Sequence, residues 1–208
     1  VRAVLFDLGN VLIRYEHAKT MSAVAGLGRL TVEETLALFR EIDVALGQGH
    51  MDAAGLHRFY QERAGVGDDA EQFFTAFGAG LSRIDEALAY AVELQNRPEV
   101  TVGVISNTNE AHVYWLDEYL PELAELDLVM MSNEVGLAKP DPEIFRLALE
   151  LLDLPPHQAI FIDDLAVNVQ AAQALGIYGL VHSDWAITKP ALEHWLATGD
   201  LPKAESIS

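Results

Sequence analysis

Four short stretches of this 208-residue chain carry the side chains best suited to chemistry: Asp7-Leu8-Gly9-Asn10, Ser106-Asn107, Lys139-Pro140 and Asp163-Asp164. Together they offer carboxylates, one ammonium, one hydroxyl and one amide. A carboxylate group that a single lysine cannot neutralise invites a hard divalent cation. Magnesium prefers oxygen ligands and usually keeps several waters beside one or two carboxylates. With Lys139, such a cation would hold a phosphoryl group, and a carboxylate can then attack it to give an aspartyl-phosphate. Taken singly, each residue has an ordinary structural role. A strand-end Asp caps a turn, and acids that open a helix favour its N-terminus. The chemical reading therefore depends on whether the fold brings the stretches together.

The elements between them say that it does. Residues 1–7 (VRAVLFD) form a short apolar run that reads as a buried strand ending at Asp7. Val100–Ser106, Leu128–Ser132, Ala159–Asp163 and Ile177–His182 read alike. Helical stretches are expected at Asp85–Arg97, Asn109–Tyr119, Pro142–Asp153 and Leu165–Leu175. Asp141 before Pro142 is a helix start, and Gly176 after Leu175 is a stop. Strands alternating with helices predict an α/β fold, a Rossmann-like parallel sheet with helices on both faces. Sites in such sheets form outside the carboxyl ends of the strands. All four stretches fall there.

Residues 15–82 break the alternation and are expected to hold no strand. Thr31-Val32-Glu33-Glu34 is a capping box, and Val32, Leu36, Phe39, Ile42 and Leu46 follow at helical spacing. Ala53–Ala64 and Asp69–Phe77 read as further helices. The division expected is thus a core of residues 1–14 and 83–208, with a small all-helical cap, 15–82, inserted after the first strand. The polar tail after Gly199 is expected to fray.

Composition narrows the partners. The formal net charge is −19, from 13 basic and 32 acidic residues. Such a surface repels nucleic acid and anionic lipid. There is no cysteine, which excludes disulfides, zinc-thiolate sites and thiol nucleophiles and fits a cytoplasmic setting. No apolar run is long enough for a membrane helix. The expected partner is a small phosphorylated metabolite. Nothing in the sequence specifies an oligomeric state.

Over essentially its whole length the sequence resembles the haloacid dehalogenase-like hydrolases. Asp7 in FDLGNVL matches the first motif of that superfamily, Ser106-Asn107 in VISNTN the second, Lys139 in GLAKPDPEIF the third, and Asp163, Asp164 and Asn168 in FIDDLAVNVQ the fourth. The resemblance implies that Asp7 is the nucleophile and that Ser106 and Asn107 hold phosphoryl oxygens. It also implies that Lys139 neutralises charge, and that Asp7, the Gly9 carbonyl and Asp164 bind magnesium with Asp163 nearby. The combination of motifs is similar to the α-D-glucose-1-phosphatase-like subgroup, which implies a sugar phosphate substrate.

The chain departs from the common phosphatase pattern at Gly9, where a second Asp ordinarily serves as proton donor. General acid–base help is worth about 10²–10⁴-fold in rate. The same departure suggests two rivals: a metal-independent haloacid dehalogenase and a non-catalytic binder of phosphorylated ligands. Asp163-Asp164 argues against the dehalogenase, because two extra carboxylates beside a nucleophilic one are repulsive unless a cation binds. Retention of Asp7, Lys139 and both acids argues against the binder. No serine sits in a G-x-S-x-G elbow, and no Gly-x-Gly continues to a dinucleotide fingerprint. The seven histidines lack metal-ligand spacing, although His50 in GQGHM is placed where it can face a substrate. Tyr114, Trp115 and Tyr119 are expected in core packing or at the mouth of the site.

Overall fold

The computed structural model describes residues 1–202. Strand β1 (Arg2–Phe6) is followed by the short β2 (Ile13–Tyr15). Helices α1 (His17–Ala25), α2 (Val32–Gly47), α3 (Ala53–Ala64) and α4 (Ala70–Phe77) come next, and β3 (Leu81–Arg83) closes that region. Then α5 (Asp85–Gln95), β4 (Val100–Ser106), α6 (Glu110–Tyr119), β5 (Leu128–Met131) and the short α7 (Ser132–Val135) follow. The chain continues through α8 (Pro142–Leu152), β6 (Ala159–Asp163), α9 (Ala166–Ala174), β7 (Tyr178–Val181) and α10 (Trp185–Thr198).

The main sheet is parallel throughout, in the order β5-β4-β1-β6-β7. Its strands read as continuous apolar runs because both faces are covered. Side chains alternate across the sheet. Val4, Phe6, Val102, Val104, Ile160 and Ile162 join one cluster with Leu88, Leu94, Leu192 and Trp195 of α5 and α10. Ala3, Leu5, Ile105 and Phe161 join another with Ile144, Phe145 and Ala172 of α8 and α9. The expected α/β architecture is therefore present. From β1 the chain crosses to β4 on one side, while β6 leads to β7 on the other. This reversal opens a crevice beyond the carboxyl ends of β1 and β6, where ligands bind in such sheets.

Helices α1 to α4 surround a separate apolar cluster that includes Met21, Phe39, Leu46, Leu56, Tyr60, Phe73 and Phe77. The Thr31 hydroxyl accepts from the Glu34 amide at 3.2 Å, and the Glu34 carboxylate accepts from the Thr31 amide at 2.8 Å, completing the capping box. The expectation of no strand between 15 and 82 is corrected. Tyr15 and Leu81-Ser82 belong to an antiparallel β2–β3 ribbon at the point where the chain enters and leaves the helices. Three residues per strand are too few for alternation to show in the sequence.

Other differences are small and local. Ser132 begins α7 instead of ending β5. Helix α10 was not expected; it carries Pro190 within its span, a residue that ordinarily signals a break. Leu201 packs on the core, so the tail is anchored at least that far, and residues 203–208 lie outside the described residues.

Specific contacts set the helices over the sheet edge. The Glu16 amide donates to the Gly80 carbonyl at 2.8 Å, joining both crossing strands of chain. The Ala53 amide at the start of α3 donates to the Glu110 carboxylate at 2.5 Å, at the start of α6. Gly49 has φ +72°, and a Cβ there would lie 2.1 Å from the Asn133 carbonyl oxygen. Only glycine meets both demands. Gly49→Ala is expected to cost more than about 1 kcal/mol, seen as a fall in Tm of at least about 2 °C. An unchanged melting curve would mean that this close approach is absent in solution.

Candidate active site

The site is built on the ends of β1, β4 and β6. Asp7 follows β1, and its amide donates to the Ile162 carbonyl at 2.8 Å, fixing it beside β6. Asp163 is the last residue of β6 and is fully buried. Lys139 lies in the loop before α8 with only 5% of its surface exposed. Its ammonium nitrogen sits 2.7 Å from Asp7 Oδ1 and 2.7 Å from Asp163 Oδ2. A lysine buried to this extent is retained as an ion only when paired, and here the pairing is double.

Each member is held in turn. The Asn107 side chain donates to the Lys139 carbonyl and accepts from the Lys139 amide, both at 2.8 Å. Asp163 Oδ1 accepts from the Leu165 amide at 2.8 Å, and the Asn168 side chain donates to both Asp163 oxygens at 3.0 and 3.1 Å. Asp163 is thus saturated with donors. Asp164 is more open; its Oδ2 accepts from Asn10 at 3.0 Å. Ser132 Oγ bridges the Thr108 amide and carbonyl at 3.0 and 3.1 Å, fixing the loop after β4. Ser106 is buried at the end of that strand.

Asp7, Asp163 and Asp164 each offer a carboxylate oxygen within 4.8 Å of the others. Among the described residues, Lys139 is the cation bonded to the cluster, and it reaches two of the three acids. Burial pushes the Asp7 carboxyl up to about 6; Lys139 opposes this, and the neighbouring Asp163 charge adds to it. The cluster is therefore short of positive charge, and its all-oxygen donor set suits a hard divalent cation. Asp7 and Asp164 have the free oxygen positions to hold one. Gly9 lies beside them. A Cβ at Gly9 would meet only Asp7 Oδ2, at 3.9 Å, so packing does not require a glycine there.

Between the sheet edge and the helices lies a cleft of about 610 Å³. Asn107, Thr108, Asn109 and Lys139 line its core side, and Tyr15, His17, Phe39, Arg40 and Asp43 line it from β2, α1 and α2. The Tyr15 hydroxyl lies 2.8 Å from His17 Nδ1: it donates to a neutral ring that carries its proton on Nε2, and a protonated ring donates Nδ1–H to the phenol oxygen. His112 is buried at the back, and burial drives its pKa down to about 4. Sequence reasoning missed Tyr15, His17, Arg40, Asp43 and His112, because nothing local marks a residue that becomes a wall only when α1 and α2 fold over the sheet. His50 is exposed and does not line the cleft. Nor do Tyr114 and Tyr119, which are exposed on α6, or Trp115, which packs on the core.

Residues 1–176 match the family model of the haloacid dehalogenase-like hydrolases, and the chain belongs to that family. It is 24% identical over 185 residues to D-ribitol-5-phosphate phosphatase of Bacteroides thetaiotaomicron, covering 85% of this chain and 89% of that protein. It is 26% identical over 186 residues to sesquiterpene phosphatase astK of Aspergillus oryzae, covering 88% and 90%. The magnesium complex of the haloacid dehalogenase-like family enzyme bt-2542 from Bacteroides thetaiotaomicron superposes with a TM-score of 0.79 at 25% identity, covering 91% of this chain and 98% of that one. The chain spans only 7% of mouse acyl-CoA dehydrogenase family member 10 and 38% of rat bifunctional epoxide hydrolase 2, two longer relatives.

The raised Asp7 pKa has a measurable consequence without metal. The folded state holds the proton more tightly than the unfolded chain, so stability falls as pH rises from the ordinary 3.8 to about 6. Above that window the penalty is complete. In EDTA at pH 7.5, Asp7→Asn is expected to be more stable than wild type by on the order of 1–3 kcal/mol, with the gap closing towards pH 4. Thermal melts across that range decide it; a variant that melts below wild type at pH 7.5 contradicts the account.

Proposed function

We propose that this chain is a magnesium-dependent phosphatase that cleaves a small phosphate monoester through an aspartyl-phosphate on Asp7. The observation that carries the reading is the buried ammonium of Lys139 set between Asp7 and Asp163, with Asp164 in the same cluster. Such a set stabilises an attacking carboxylate and the charge on a transferring phosphoryl group. Relatives named as phosphatases, and a relative that binds magnesium, support it.

Asp7 attacks phosphorus in line. Lys139 favours the ionised form of the attacking carboxylate against the effect of burial and faces the charge that develops on the phosphoryl oxygens. Ser106 and the loop through Asn107 orient the remaining oxygens, and Asn107 holds the Lys139 backbone in register. Asp7, Asp164 and the Gly9 carbonyl would hold magnesium, with Asp163 orienting Lys139; when bound, the ion supplies charge stabilisation to nucleophile and phosphoryl oxygens. Residues 15–82 act as a cap that excludes bulk water and selects the leaving group. The mixed lining of Tyr15, Gln48 and Asn109 with Leu36 and Phe39 suits a polyhydroxylated metabolite, such as a sugar phosphate like glucose 1-phosphate.

Hydrolysis of an aryl phosphate should require magnesium and stop in excess EDTA. Asp7→Asn should lower kcat by at least about 10⁴-fold. Wild-type turnover by that variant, or full activity in EDTA, would reject the mechanism. Metal-independent halide release from a 2-haloacid would point to the dehalogenase instead. A magnesium-supported comparison of sugar 1-phosphates with sugar 6-phosphates then identifies the substrate class.

A further inference from the structure

An alkyl leaving group departs as an alkoxide unless a proton reaches it, and the groups around Asp7 are poorly placed to give one. Gly9 has no side chain. Lys139 is bonded to Asp7 and Asp163, so a proton lost from it would leave both carboxylates unneutralised. Asp163 has both oxygens engaged by donors. The opposite wall of the cleft that Lys139 lines offers other donors. There, Arg40 does not deprotonate, Asp43 is exposed, the Tyr15 hydroxyl is bonded to His17, and His112 is buried against Asn109 at 3.2 Å. His17 remains: it is half-buried, at the first turn of α1, and lines the cleft that Lys139 and Asn107 line from the other side.

A chain of contacts fixes its position relative to the reacting centre. Asn10 takes the left-handed conformation at φ 56°, which asparagine tolerates better than most residues. From there its amide nitrogen donates to Asp164 Oδ2 at 3.0 Å and its oxygen accepts from the Tyr15 amide at 3.1 Å. The Tyr15 hydroxyl in turn holds His17 Nδ1 at 2.8 Å. The ring packs edge-on against Tyr15 at 5.6 Å and tilted against Phe39 at 5.0 Å. An imidazole gripped at Nδ1 has its orientation fixed and leaves Nε2 for the substrate. Burial holds the His17 pKa below its ordinary value; of the charged groups acting on the ring, Asp43 favours the protonated form and Arg40 opposes it.

We propose that His17 is the proton donor to the leaving group and Tyr15 the residue that positions it. The proposal rests on the phosphatase reading. As the Asp7 oxygen bonds to phosphorus, the bond from phosphorus to the leaving oxygen breaks, its electron pair stays on that oxygen, and the Nε2 proton of the His17 imidazolium moves there. Neutral His17 then takes a proton from water as the water oxygen attacks phosphorus. This releases inorganic phosphate and restores the Asp7 carboxylate.

The test compares leaving groups in the full chain with magnesium. An alkyl phosphate needs the proton; 4-nitrophenyl phosphate needs it far less. His17→Gly should lose about 10²–10⁴-fold in kcat/KM on the alkyl ester and much less on the aryl ester, and added imidazole should restore alkyl turnover. Tyr15→Phe, which keeps the ring, should shift the alkyl-to-aryl ratio in the same direction by a smaller factor. Equal losses on both esters, no loss on either, or no rescue by imidazole would overturn the assignment while leaving the phosphatase intact. A wild-type protein that hydrolyses neither ester removes the phosphatase reading and this inference together.

Discussion

One ammonium between two carboxylates organises this site. The Lys139 side chain is almost wholly buried, and each of its acids lies 2.7 Å away. Charges taken out of water are costly unless paired and hydrogen-bonded. That cost explains why the surrounding polar contacts are so complete. Asn107 clamps the Lys139 backbone, and Asn168 and the Leu165 amide fill the lone pairs of Asp163. Asp7 and Asp164 are left with oxygens to spare, and burial makes Asp7 resist ionisation. A site in that electrostatic state is prepared for a cation and for an electrophile.

The fold meets these demands through topology. The order β5-β4-β1-β6-β7 puts Asp7 on the central strand and Asp163 on its neighbour, at the reversal of winding. The hydrogen bond from the Asp7 amide to Ile162 sets their relative height. Helices α1 to α4 then cover this edge from their own apolar cluster, entering and leaving by the β2–β3 ribbon. Tyr15 belongs to that ribbon, so the same pairing that closes the helical region also carries an aromatic hydroxyl into the cleft.

The acidic balance of the chain bears on how a phosphorylated ligand arrives. A net charge of −19 repels anions at long range, and salt screens that repulsion beyond about 8 Å at physiological ionic strength. Within the cleft, Lys139 and Arg40 bring positive charge, and His17 adds to it when protonated. Selectivity therefore rests on short-range contacts, and the wall formed by α1 and α2 supplies those that the sheet edge does not.

The sequence by itself determined the alternating α/β order, because buried strands and amphipathic helices write their periods into neighbouring residues. It also determined the candidates Asp7, Ser106, Asn107, Lys139, Asp163 and Asp164, because strand ends in a parallel sheet converge on one edge. Helix α10, whose span includes Pro190, and the three-residue strands β2 and β3 left too little local pattern to read. The placement of Tyr15, His17, Arg40 and His112 was decided by tertiary structure alone. They lie on β2, α1, α2 and α6, and they share a cleft because apolar clusters far apart in sequence pack. Which oxygens of the three acids stay free was likewise settled only by folding. That depends on where Asn10, Asn168 and Lys139 point, and side-chain direction is fixed by packing, not by order along the chain.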